Sequence, residues 1–289
     1  MNRRLKRTLL TAAAFLTSAC IGVMIFSYVR ADDEDSEDEG RSRRVRSSRD
    51  AGSFFERAGR GEDDPNKADH YYSDYTIDVL GAPSDYRTKL DTLMENEPAA
   101  ADFVAQYPTM YGTYDEMPLT STYDESTYGV PLLMQWDTRW GFKVYGSNAM
   151  GFTGCGPTCL SMVASYLYND PTLTPGFMAD YSIENGYCIP GSGTSWALMS
   201  DGAMGLGLDV TEIPLDEERV IANLEVGNPI IMIMGPGEFT SEGHFVVLCG
   251  YENGYYKIND PYSVVRSERS WSWDEFSDQI QDMWVYRLL

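Results

Sequence analysis

The segment from Gly243 to Pro261 constrains the fold more than any other part of this 289-residue sequence. It reads Gly-His-Phe-Val-Val-Leu-Cys-Gly-Tyr, then Glu-Asn-Gly, then Tyr-Tyr-Lys-Ile-Asn-Asp-Pro. Two runs rich in β-branched and aromatic residues around Asn-Gly predict an antiparallel hairpin, Phe245 to Tyr251 against Tyr255 to Asn259. The turn decides which residues share a face. A two-residue turn at Asn253-Gly254 sets Val247 opposite Asp260 and turns Asp260 away from His244. A three-residue turn, Glu252-Asn253-Gly254 with Gly254 left-handed, sets Val246 opposite Asp260. His244 and Asp260 are then diagonal neighbours on one face, about 7–8 Å apart at the backbone. The three-residue turn is the expectation.

The pattern around this hairpin predicts helices at Pro157 to Leu167, Thr194 to Met204 (capped by Thr194 or Ser195), Asp216 to Glu225 and Trp273 to Gln281. Strands are expected at Leu206 to Ile213, Pro229 to Met234 and Met283 to Leu288. Helices early and a mostly antiparallel sheet late define an α+β domain over residues 129–289. Before it, residues 67–128 read as a helical pre-domain. Tyr86, Leu90, Leu93 and Met94 have helical spacing behind a Ser84 cap, and Pro98 breaks the helix. A second short helix, Ala99 to Tyr107, is expected to stop before Pro108. The pair is expected to serve as a packing brace.

The first 66 residues differ in kind. Arg3, Arg4, Lys6 and Arg7 precede an uncharged stretch from Thr8 to Val29, so residues 1–31 read as a signal peptide or a membrane anchor. Either reading makes the remainder extracytoplasmic, secreted or held at the membrane by this segment alone. Residues 32–66 carry an acidic block and then a basic one with few apolar residues, which predicts a disordered charged stalk. The formal charge of −22 excludes nucleic acid as a partner. With two histidines and no Cys-x-x-Cys, no metal site is expected, nor any cofactor. The protein is expected to be a monomer acting on a peptide or protein.

Cys155 lies in Gly154-Cys155-Gly156-Pro157-Thr158, at the start of a predicted helix. Unpaired amides and the helix dipole there favour a thiolate, and the flanking glycines are expected to admit a substrate backbone. His244, at the mouth of a predicted strand, is the one histidine beyond residue 70 and the candidate general base. Asp260 is the candidate group to orient it, with Asn259 a weaker alternative. Cys159 and Cys249 read as buried thiols. Trp136, Trp140, Trp196 and Tyr187 read as core or cleft framing, and Gly191 to Ser195 as a rim loop.

These motifs, with Gln135-Trp136-Asp137-x-Arg139-Trp140-Gly141 ahead of them, resemble the stand-alone bacterial relatives of the bacteriocin-processing, double-glycine leader peptidases. The resemblance covers roughly Val130 to Leu289. It implies a papain-like cysteine peptidase fold, a Cys155–His244–Asp260 triad and a thioester intermediate. It further implies a glutamine in the oxyanion hole, for which Gln135 is the matching residue. The sequence shows no transporter domain, so leader processing is not expected to carry over, and the substrate stays open. A cell-wall peptide amidase and a non-catalytic binding module on the same fold are the alternatives.

Overall fold

The computed structural model describes residues 79–114, 117–119 and 129–289. The expected signal or anchor segment, the charged stalk and parts of the pre-domain lie outside the described residues. Among those described, no helix is long and apolar enough to cross a membrane.

Two helices come first, α1 (Tyr86–Asn96) and α2 (Ala101–Met110), joined by a 3-10 turn at Pro98–Ala100. Asp85, not Ser84, occupies the N-cap of α1. Helix α2 runs through Pro108 where a stop was expected. A proline in a last turn removes a single helical hydrogen bond, and the buried Phe103, Val104 and Tyr107 hold the preceding turns in place. Their side chains join Tyr86, Leu90 and Leu93 in a core shared with Trp136, Phe142 and Ala149. The two helices thus brace the peptide that leads into the larger domain.

That domain begins with a small ladder, β1 (Val144–Tyr145) with β2 (Asn148–Ala149), then the short α3 (Met150–Thr153) and the long α4 (Cys155–Tyr168). Helix α4 starts two residues earlier than expected. Cys155 is therefore inside its first turn rather than ahead of it. Helix α5 (Pro175–Glu184) packs on α4 and was not foreseen; Thr174 caps it by accepting from the Phe177 amide, with Pro175 in the first turn.

The helix expected from Thr194 to Met204 is broken in two: Thr194 ends β4 (Gly193–Thr194), which pairs with β3 (Cys188–Ile189), Ser195 caps a 3-10 turn at Trp196–Leu198, and α6 (Asp201–Gly205) follows. The glycines at 191 and 193 both take positive φ, which suits a tight turn and not a helix start.

The remaining elements are β5 (Leu208–Glu212), α7 (Glu217–Leu224), β6 (Ile230–Met234), β7 (His244–Glu252), β8 (Tyr255–Asn259), α8 (Val264–Glu268), β9 (Ser270–Trp271), α9 (Trp273–Phe276) and β10 (Ile280–Leu288). The last predicted helix is cut short because a 3-10 turn, Ser277–Gln279, hands the chain to β10. Six strands form one antiparallel sheet in the order β5-β10-β6-β7-β8-β9. Both faces are covered. Ile231, Ile233, Phe245, Val247 and Trp284 face the α4 layer, while Ile230, Met232, Val246, Leu248 and Val285 face a second core with Val220, Trp271 and Phe276. The alternation of strand side chains divides these continuous apolar runs between two layers. The architecture is mixed α+β, as expected.

The turn in the central hairpin departs from expectation. Glu252 pairs with Tyr255, so Asn253-Gly254 form a two-residue turn, with φ of 54° and 85°. Both central residues are left-handed, the geometry whose twist matches the flanking strands. The extra residue lies within β7 instead. Pairing jumps from Gly250 opposite Lys257 to Leu248 opposite Ile258, leaving Cys249 as a bulge. Beyond the bulge Val247 faces Asn259, which is the register the three-residue turn was invoked to produce.

Candidate active site

The site forms where the start of α4 meets the mouth of β7 and the chain leaving β8. Cys155 is the first residue of α4, and its thiol hydrogen-bonds the His244 side chain. His244 donates from Nε2 to Asp260 Oδ1 at 2.7 Å. Nε2 being engaged, Nδ1 is the nitrogen left to face the thiol, which fixes the tautomer by second-partner geometry. Asp260 is fully buried. Its Oδ1 also accepts the amides of Tyr262 at 2.8 Å and Ser263 at 3.3 Å, and its Oδ2 accepts Arg266 Nε at 2.6 Å.

These contacts set the protonation states. Burial opposes the Cys155 thiolate, but the hydrogen bond and charge of His244 and the amides of Phe245 and Gly156 outweigh it, holding the thiol below its ordinary value. Burial likewise works against a charged His244, and Asp260 overcomes it to raise the imidazole. Asp260 is held below the usual carboxylate range, since His244 and Arg266 outweigh the cost of its burial. All three shifts run toward a thiolate beside an imidazolium backed by a carboxylate. Burial pushes the other thiols the opposite way: Cys159 lies well above its ordinary value and Cys249 at about 12. The four described cysteines are all unpaired as disulfides.

Gln135 is buried beside this group. Its backbone amide donates to Pro261 O at 2.7 Å and its Nε2 donates to Gly151 O at 2.9 Å, leaving the second amide hydrogen uncommitted. Cys155, His244 and Gln135 line one cleft of about 550 Å³. The aromatic walls are Phe152, Phe239 and Tyr262, not the tryptophans considered from sequence. Trp140 is core, Trp136 is tied through Nε1 to Tyr262 O, and Trp196 packs edge-on against Trp284. The glycines flanking Cys155 also have a different use. A Cβ on Gly156 would come within 2.6 Å of Thr194, and one on Gly154 within 2.7 Å of Met150 O. Close packing behind the helix demands them, rather than access for a substrate.

Two residues around Asp260 escaped the sequence reading. Arg266 follows it by six positions, on a helix whose Ser263 cap was a legible signal. Glu97 reaches the same loop from 166 positions before Ser263, and no local pattern points to it.

Residues 127–287 match the family described as the Peptidase_C39 like family. The chain belongs to that family. It is a cysteine peptidase of papain-like fold, in agreement with the motif resemblance. No curated protein matches it. Among solved structures it is similar to the peptidase domain of Streptococcus ComA, a bi-functional ABC transporter involved in a quorum-sensing pathway, at 20% identity and a TM-score of 0.39, covering 47% of this chain and 93% of that one. A putative C39-like peptidase from Bacillus anthracis is 16% identical with a TM-score of 0.38, covering 60% and 98%. A double glycine motif protease from an AMS/PCAT transporter, in complex with a leader peptide, is 20% identical with a TM-score of 0.38, again covering 60% and 98%.

Proposed function

We propose that this peptidase cleaves peptide bonds through a Cys155–His244–Asp260 triad, outside the cell membrane. The observation that carries the reading is the 2.7 Å contact from His244 Nε2 to Asp260, which leaves Nδ1 for the Cys155 thiol. In this reading the Cys155 thiolate attacks the scissile carbonyl carbon, and the carbonyl electrons move onto oxygen. Gln135, with its spare amide hydrogen, stabilises that oxyanion. Collapse of the intermediate breaks the C–N bond while His244 gives its proton to the departing amine, leaving a thioester. His244, now neutral, takes a proton from water as water attacks the thioester. Collapse of the second tetrahedral intermediate breaks the C–S bond, releasing the acid product and restoring the Cys155 thiolate beside protonated His244.

Asp260 holds the ring and supports its charged form throughout. The placement outside the membrane rests on the basic head and apolar stretch of residues 1–31. The substrate is a peptide or protein, and the chain is proposed to act as a monomer.

The test combines peptide-library cleavage with labelling by iodoacetamide. The wild type is expected to cleave and to be labelled at Cys155. Cys155→Ala should lose both, and His244→Ala should lose cleavage and slow labelling. Labelling at Cys155 with the same rate and pH dependence in His244→Ala would overturn the triad. Protease accessibility of the folded domain on intact cells tests its location.

A further inference from the structure

We infer that Glu97, supplied by the helical brace, is a positioning residue that sets the orienting carboxylate Asp260 by clamping the turn between Asp260 and Arg266. The inference rests on the triad reading and extends it to a part of the chain outside the family match, which begins at residue 127.

Glu97 sits between α1 and the following 3-10 turn, with its amide bonded to Leu93 O and its carbonyl accepting from Ala100. Its backbone is thus fixed on both sides. Its side chain is 2% exposed, a rare condition for a glutamate and one that calls for specific partners. Both oxygens have them: Oε1 accepts the Ser263 hydroxyl and Oε2 accepts the Val264 amide at 3.1 Å. Ser263 is the cap of α8, its Oγ accepting the Arg266 amide at 3.2 Å. The amide of the same Ser263 donates to Asp260 Oδ1, and Arg266 on α8 grips Oδ2. The route from Glu97 through Ser263 and Asp260 to His244 thus runs by hydrogen bonds among four buried residues, with the partly exposed Arg266 closing on the other oxygen of Asp260.

The clamp does work that α8 cannot do alone. A helix of five residues has little intrinsic stability, and its cap and first amide are its weakest points. A carboxylate accepting from both Ser263 and Val264 fixes where α8 begins, and so where Arg266 meets Asp260. Released, the turn is free to shift by a fraction of an ångström. Oδ1 then loses alignment with His244 Nε2. Asp260 and Cys155 are the ionisable groups bonded to His244, the Tyr262 ring lies edge-on to it with centroids 6.5 Å apart, and Arg266 acts through Asp260, so a weaker imidazolium is felt as a weaker thiolate.

The experiment is the pH dependence of iodoacetamide alkylation at Cys155 in the full chain, with thermal melting in parallel. Glu97→Leu fills the space without an acceptor and should move the acid limb of the alkylation curve upward by about one pH unit, a tenfold loss of rate on that limb. Glu97→Gln keeps an acceptor for Val264 and a polar partner for Ser263, and should restore most of the wild-type curve. Ser263→Ala, which cuts the clamp from the other side, should shift the limb in the same direction and serves where Glu97→Leu does not fold. A midpoint unchanged in folded Glu97→Leu or Ser263→Ala, with only the melting temperature lowered, overturns the inference. So does an equal shift in Glu97→Gln and Glu97→Leu. His244→Ala in the same series separates the two proposals: if its curve matches wild type, the triad reading itself fails.

Discussion

Arg266 donates from Nε to Oδ2 of Asp260 at 2.6 Å, the carboxylate oxygen that His244 leaves free. With two amides on Oδ1, the buried carboxylate is fully committed, and a group with no alternative partner has no alternative rotamer. The imidazole plane is set by that rigidity.

Arg266→Ala should therefore lower kcat/KM by roughly 10- to 100-fold while Cys155 remains present and titratable. It should also cost on the order of 2–3 kcal/mol of stability, because a buried acceptor loses a charged donor. The sign with pH follows from Asp260, whose folded-state value is depressed. Its contribution is present above the unfolded value and is lost as pH falls through the folded one. Removing Arg266 makes the depression smaller, so acid unfolding should begin at a higher pH. Circular dichroism against pH checks this.

The pH profile of cleavage should be broad. Activity rises as pH passes the depressed Cys155 value and falls only as His244 deprotonates, which Asp260 pushes from 6.5 toward about 10. In His244→Ala the burial of Cys155 is opposed only by the Phe245 and Gly156 amides, so its alkylation midpoint should move upward. Stopped-flow alkylation across pH measures both.

Gln135→Ala should reduce kcat by about 10²–10³-fold with little change in KM, as removal of one oxyanion donor does. A large rise in KM with kcat unchanged would instead mark Gln135 as a binding group.

Gly254→Ala should destabilise the protein by about 1–2 kcal/mol without affecting cleavage. The left-handed φ of 85° is strained for any Cβ, while nothing lies within 4 Å for that Cβ to strike, so the cost is conformational alone. The turn is at the far end of β7 from His244, and thermal melts with activity assays separate the two effects.

Much of the site was legible because its chemistry is local. Cys155 between glycines, the single histidine after residue 70, and Asp-Pro after a strand are all visible in short windows. The position of Asp260 relative to His244 was reached through the wrong device. Asn-Gly keeps its preferred two-residue turn, and the bulge at Cys249 absorbs the odd residue. A bulge leaves no compositional mark in an apolar strand, whereas a turn does, so pattern alone assigns the offset to the turn. The short helix α8 and the hairpin β3–β4 were missed for a related reason, being too brief for a periodicity to emerge.

The sequence by itself determined the α+β class, the central hairpin and the residues available for thiol chemistry, because residue identity and spacing are properties of the chain. Only the tertiary structure decided which way the protonation of Cys155, His244 and Asp260 is biased, since that depends on burial and on partners brought from elsewhere. Arg266 and Glu97 belong to this second kind. Their hydrogen bonds close only when α8 and the helical brace pack around one loop, and a contact spanning 166 positions has no signature in either segment alone.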